Sequence, residues 1–174
     1  MLETMRDRGQ FWSPQPDWGT ARIEGDGYSV RRVLDFGQTL VSGKLDTAFA
    51  ELMPGAPEIG LWSMAEAEPF AVRIARDRAL LVSPAPLGIA PGWRTGYVAT
   101  PCDDAYAILE ISGVALREIV AEGTSVDIEA GSRSAAVLFA GVTVFLYRTG
   151  PETARLHVEA PLAAYLWAWL EGRR

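Results

Sequence analysis

Side chains that move protons, attack carbon or hold metals are scarce in this chain. Its 174 residues include one histidine, His157, one cysteine, Cys102, and one lysine, Lys44. Metal sites built on His and Cys need three or four such ligands, so that chemistry is excluded. A Ser-His-Asp triad would have to use His157. That residue stands in "ARLHVE", where alternation puts it on the face opposite Leu156 and Val158. It reads as a solvent-facing or sheet-surface histidine rather than a general base. Cys102 is followed by Asp103 and Asp104. Neighbouring carboxylates raise a thiol's pKa, which argues against a nucleophilic thiolate. Asp103-Asp104 and Asp26 are the carboxylate candidates, yet Asp103-Asp104 directly precedes a strand, where turn carboxylates are common. "VSGK", ending at Lys44, is only a fragment of a phosphate-binding loop. Lys44 stands where a helix begins and reads as a solvated lysine, although helix N-termini do bind anions. No GxGxxG follows a strand, which removes a Rossmann site. The expectation is therefore no catalytic, cofactor-binding or metal-binding residue on this chain.

Aromatic residues are more informative. Of six tryptophans, Trp169 reads as core, whereas Trp12, Trp18, Trp93 and Trp167 fall in irregular segments or off a core stripe. Surplus rigid aromatic surface on a small acidic domain points to an interface. Phe11, Trp12, Trp18, Trp93 and Trp167 are the candidate partner-interface residues. The alternative is that the N-terminal arm and the central loop fold back onto their own domain.

The bulk composition fits one compact unit with a real core. A net charge of -6 repels phosphate backbones, so general nucleic-acid binding is not expected. No apolar run approaches the ~20 residues that span a bilayer. The first twenty residues lack the apolar stretch of a secretory signal. A lone cysteine fits a reducing cytoplasm. Arginine in place of lysine, with no asparagine, is the composition of a GC-rich bacterial gene.

Several elements must position these residues. Residues 1–30 read as an irregular arm broken by Pro14, Pro16, Gly19, Gly25 and Gly27. "QTLV" reads as a strand. Leu45, Ala48, Phe49 and Leu52 then share one helical face, and Pro54-Gly55 stops the helix. "FAVRIA" alternates as a half-buried strand and meets "RALLVS" across a tight Arg76-Asp77 hairpin. Residues 84–101 form a long Pro/Gly-rich connection between halves. Next comes the strand "AYAILEIS". Leu116, Ile119 and Val120 make a helical stripe ended by Gly123. "AAVLFA" and "VTVFLYR" form a hairpin through Ala140-Gly141, and "ARLHVE" is a further strand. "PLAAYLWAWLEG" closes the chain as a helix, with Leu162, Tyr165, Leu166, Trp169 and Leu170 on its core face and Trp167 pointing away. Strand, Ser-Gly, helix is thus written twice, at Ser42-Gly43 and Ser112-Gly113. The expected fold is α+β: two β-α-β-β half-domains, 31–101 and 102–174, in a mainly antiparallel sheet arrangement with helices on one face.

Residues 103–172 carry a resemblance. An alternating strand ends in Ser112-Gly113, and a helix ends at Gly123. A short segment then reaches Asp127. After it come the hairpin Ala135–Arg148, the strand Ala154–Glu159 and the aromatic helix Tyr165–Leu170. This stretch resembles the gamma subunit of heterotetrameric sarcosine oxidase. More distantly, it looks like the folate-binding domain of the glycine-cleavage T-protein. It departs from the gamma pattern at Val114, where those subunits have Pro, and at Thr124-Ser125, where they often have Cys-Pro.

The resemblance implies a structural subunit without a cofactor of its own. The alpha and beta partner subunits would bear FAD, FMN, NAD and tetrahydrofolate. They would oxidise sarcosine, pass electrons to oxygen and hand on the one-carbon unit. Fold alone does not carry function, so two alternatives stand. One is a stand-alone folate or small-carboxylate binder, with a pocket lined by Trp62 or Trp93 and arginine. The other is a homo-oligomeric orphan of the same fold.

Overall fold

In the computed structural model, residues 15–61 and 63–173 are described. Twelve strands among them form two six-stranded sheets, with three α-helices outside. Sheet A is built from β1 (Arg22–Gly25), β2 (Tyr28–Val33), β9 (Tyr106–Ser112), β10 (Ala136–Phe139), β11 (Val142–Gly150) and β12 (Thr153–Glu159). Its order is β1-β2-β9-β12-β11-β10. Sheet B is built from β3 (Gly37–Gly43), β4 (Glu58–Ile59), β5 (Phe70–Ala75), β6 (Arg78–Ser83), β7 (Gly92–Trp93) and β8 (Tyr97–Pro101). Its order is β4-β5-β6-β3-β8-β7. Every pairing is antiparallel except β4 with β5. The helices are α1 (Leu45–Leu52), α2 (Leu116–Gly123) and α3 (Ala163–Glu171), the last entered through a 3-10 turn, Ala160–Leu162, that holds Pro161. None of them is long and apolar enough to cross a membrane.

The α+β expectation holds, with each sheet covered by helix on one face. Leu116, Ile119 and Val120 of α2 and Leu166, Trp167 and Leu170 of α3 bury against Leu109, Ile111, Leu156 and Val158 of sheet A. Leu45 and Ala48 of α1 bury against Val41, Leu81 and Ala99 of sheet B. The other faces of the two sheets meet each other. Phe70, Val72, Leu80 and Val82 of sheet B pack on Phe145 and Tyr147 of sheet A. Phe70 stands edge-on to Tyr147 with centroids 5.3 Å apart. "FAVRIA" is therefore buried on both faces over its first three residues, while Arg73 and Ile74 are half-buried and Ala75 is exposed. Ala71 faces α1 while Phe70 and Val72 face the other sheet, and all three are buried. Each large side chain so buried contributes about 1.5–3 kcal/mol.

Two stretches differ from the sequence expectation. Residues 22–33 are not an irregular arm but the β1–β2 hairpin, and β2 pairs with β9. The 84–101 connection likewise contains the β7–β8 hairpin, and β8 pairs with β3. The repeating unit is therefore hairpin, strand, helix, three strands. Each unit's hairpin joins the sheet of the other unit. The Ser-Gly steps lock this exchange. Gly43 has φ 117° and Gly113 φ 131°. A Cβ on Gly113 would lie 2.2 Å from the Gly27 carbonyl oxygen in the β1–β2 turn. One on Gly43 would lie 2.5 Å from the Gly96 carbonyl oxygen in the β7–β8 turn. Only glycine combines that conformation with such close backbone approach.

Candidate functional site at the junction of the two sheets

β12 and β11 place His157 and Tyr147 on the inner face of sheet A, and β3 brings Gln38 to meet them from sheet B. His157 is fully buried, not solvent-facing. Alternation correctly put it opposite Leu156 and Val158, but that face is covered by the second sheet. Its Nδ1 lies 2.7 Å from Gln38 Oε1, and its Nε2 lies 2.8 Å from the Tyr147 hydroxyl. An amide oxygen can only accept, so Nδ1 carries the proton and Nε2 accepts from Tyr147 O–H. The Gln38 Nε2 group in turn donates to the Asp103 and Tyr106 carbonyls, 3.0 Å each. The imidazole nitrogens and the Gln38 amide are all satisfied by neutral groups, and the Tyr147 hydroxyl also feels the Arg155 guanidinium beside it. Burial, aided by the Arg155 charge, pushes the His157 pKa down to about 3, and burial pushes the Tyr147 phenol up. This imidazole is spent on joining the sheets and is shut off from any substrate.

Beside it lies a row of charge. Glu110 of β9, buried, accepts from Arg31 Nε at 2.8 Å and from Arg155 Nε at 2.9 Å. Arg155 Nη1 also reaches Glu68 at 3.0 Å. Burial works to raise the Glu110 pKa, but the two guanidinium hydrogen bonds outweigh it and hold the carboxyl low. Sequence reasoning missed this cluster. The signal was there: a lone Glu110 inside the apolar run "AILEIS", with Arg155 two residues before His157 in the neighbouring strand.

The other sequence candidates are scattered. Cys102 is half-buried, and burial with the Asp103 charge pushes its thiol up to about 11, the direction expected from its neighbours. Asp103 accepts from the Gln38 backbone N–H at 2.6 Å and so holds the crossover between sheets. Asp104, Asp26 and Lys44 are exposed. No cluster of three or more His, Cys, Asp or Glu able to hold a metal occurs among the described residues. A cavity of about 490 Å³ opens where the crossovers converge, lined by Arg32, Leu34, Phe36 and Tyr106 together with Asp35, Asp103 and Asp104. Its three carboxylates oppose an anionic ligand, and Trp93 is not part of it. It does not supply the carboxylate pocket imagined for a free-standing binder.

The aromatic candidates separate sharply. Trp167 is buried rather than turned away from the core, and meets Trp18 edge-on at 5.5 Å. Half-buried Trp18 also lies under the Arg32 guanidinium, 5.3 Å from the ring centroid. The buried face of α3 is Ala163, Leu166, Trp167 and Leu170, which leaves Tyr165 exposed and Trp169 at its edge against Phe139. Trp93, at 86% exposure, stands free. Phe11, Trp12 and Trp62 lie outside the described residues.

The family model for the sarcosine oxidase gamma subunit matches residues 71–173, more than half of the chain. The chain belongs to that gamma subunit family. The match begins in β5 and runs through both α2 and α3, so it takes in the β7–β8 hairpin and all of β9–β12. The same architecture recurs in a chain of the heterotetrameric sarcosine oxidase from Corynebacterium sp. U-96, solved in complex with pyrrole 2-carboxylate. The TM-score is 0.66 at 16% identity, covering 87% of this chain and 86% of that one. At that identity the likeness is one of fold. No curated protein matches the chain. Gamma-family membership accounts for the second half of the sequence, where the resemblance was legible. The structural likeness extends the same fold over the first half.

Proposed function

We propose that this chain is a non-catalytic, gamma-like subunit of a heterotetrameric sarcosine oxidase complex. The gamma family match over residues 71–173 carries the reading. The fold it shares with a chain of the Corynebacterium complex supports it. So does the fate of His157, whose two ring nitrogens are both committed to neighbours in the core. In this reading the partner subunits hold the flavins, NAD and tetrahydrofolate. They oxidise the N-methyl group of sarcosine, pass the electrons to oxygen and transfer the one-carbon unit. This chain contributes surface and assembly, in the cytoplasm where such a complex works.

The test is purification of the tagged full chain from its native extract. Flavin-bearing subunits should come with it in stoichiometric amounts, and the yellow complex should make peroxide when given sarcosine. A colourless, lone protein would sink the proposal.

A further inference from the structure

We infer that the uncovered end of the inner face of sheet B, centred on Trp93, is where the chain docks onto a larger subunit. The docking partner presents an apolar socket rimmed by carboxylates. This rests on the gamma-like reading and deepens it.

The argument starts from register. Arg78 pairs with Ser42, Ser42 with Val98, and Val98 with Trp93. Residues directly opposite in a ladder share a face, so these four side chains form one row across β6, β3, β8 and β7. The row lies on the face away from α1, because Val41, Tyr97 and Ala99 point to α1. Sheet A covers this face only farther along, at Leu80 and Val82. At the row itself Ser42 and Val98 are half-buried, Arg78 is exposed and Trp93 is 86% exposed.

The repeat supplies a control. Aligning Ser112-Gly113 with Ser42-Gly43 makes the equivalent row in sheet A Thr153, Ser112, Ser29 and Glu24. That row is hydroxyl and carboxylate, as a solvated sheet face should be. Nothing in the architecture therefore demands tryptophan and valine at this place. A large exposed aromatic ring beside Val98, with an arginine farther along the row, is the composition of a binding hot spot.

Charge selects the occupant. Lys44, Arg76 and Arg78 are exposed around the row, with Asp77 the opposing carboxylate. None of these three cations has an ion-pair partner among the described residues. The equivalent end of sheet A instead carries exposed Glu24, Asp26 and Glu152. A cationic patch on a chain of net charge -6 favours an acidic partner surface at that one place. A two-fold contact with a second copy through the same face would set these cations against their own duplicates, which disfavours a homodimer there. Nucleic acid is disfavoured by the charge of the remaining surface.

The experiment titrates the purified full chain against purified flavin-bearing subunits at low and high salt, with circular dichroism to check that each variant is folded. Trp93→Ala should weaken binding by at least ~30-fold, the effect of losing a hot-spot aromatic. Arg78→Glu should weaken it by about 10-fold at low salt, with the loss shrinking at high salt. Glu24→Ala, at the equivalent place in sheet A, should change it less than ~2-fold. Wild-type binding that survives both Trp93→Ala and Arg78→Glu would overturn this surface while leaving the subunit reading intact. Failure of the wild type to bind would remove both. A dimer of the free chain that Trp93→Ala dissolves would make a second copy the occupant and overturn the partner named here.

Discussion

Around β9, the sheet carries two helices, buries Trp167 and neutralises its inner face with the Arg31–Glu110–Arg155 row. Around β3, the matching strand, it carries one helix, exposes Trp93 and fills the positions equivalent to that row with Thr100, Leu40 and Leu80. The backbone plan is the same to the level of strand order and Ser-Gly turn. The difference lies in what each half leaves for others to cover. Beside Arg155 sheet A is covered by the chain itself, because the segment from Met64 to Glu68 lies along β11 and delivers Glu68 to Arg155. What it leaves exposed is Leu138 on its edge strand β10 and Val114 beyond its Ser-Gly turn. Sheet B ends on the row Arg78, Ser42, Val98 and Trp93, with the tryptophan uncovered. A repeat that is symmetric in backbone and asymmetric in side chains presents two different surfaces at equivalent places.

The sharpest way to break this contrast is to remove one tryptophan from each half. Trp167→Ala opens a void in a packed core and should lower unfolding free energy by about 3–5 kcal/mol in urea titrations. Trp93→Ala, on the surface of the free chain, should stay within about 0.5 kcal/mol. Comparable losses would show that Trp93 is covered in the free protein and would end the distinction. Next in size are the repeated turns. Gly113→Ala and Gly43→Ala should each cost about 2–3 kcal/mol, since a Cβ meets backbone at a positive φ in both. A loss at only one of them would show that the exchanged hairpins are not held alike.

The smallest effect concerns the bond chain between the sheets. Gln38→Leu leaves the His157 Nδ1–H without its acceptor and should cost about 1–3 kcal/mol. The same site sets the acid response. The folded His157 pKa is about 3 against an ordinary 6.5, so the unfolded chain takes up a proton that the fold refuses. Stability is complete above pH 6.5 and declines as pH falls toward 3, by up to about 1.4 kcal/mol per pH unit. Glu110, held below its ordinary 4.5, adds a second loss as pH falls below that value. His157→Phe should flatten the decline between pH 6.5 and 4.5 and leave the steeper loss below it. Urea midpoints across pH 4–7 would show either pattern.

Much of this was legible because alternation and helical spacing are local. β5, β6, β9, β11, β12 and the stripes of α1 and α2 follow from which residues are apolar. The exchanged hairpins did not show because "RIEG" and "GW" are too short to set up a period among glycines. In α3 the failure was one of phase. "LAAYLWAWL" is apolar at every position, so spacing alone cannot choose between Trp167 and Trp169, and the shift from a 3-10 turn to α-helix at Ala163 decides it. For His157, alternation gave the right face but not what covers it. That depends on a second sheet whose strands lie elsewhere in the chain. Candidate interface residues suffered the same limit, since composition counts aromatic rings but cannot say which are already taken.

The exchange of hairpins also bears on synthesis. β1 and β2 leave the ribosome ahead of the other described strands, yet the strand that receives them, β9, follows only after the whole first unit and the β7–β8 hairpin have emerged. Until then β2 has an open edge, whereas the six strands of sheet B, from Gly37 to Pro101, have all emerged. Sheet B can therefore form on the nascent chain ahead of sheet A, which holds β2 unpaired along one edge until β9 follows.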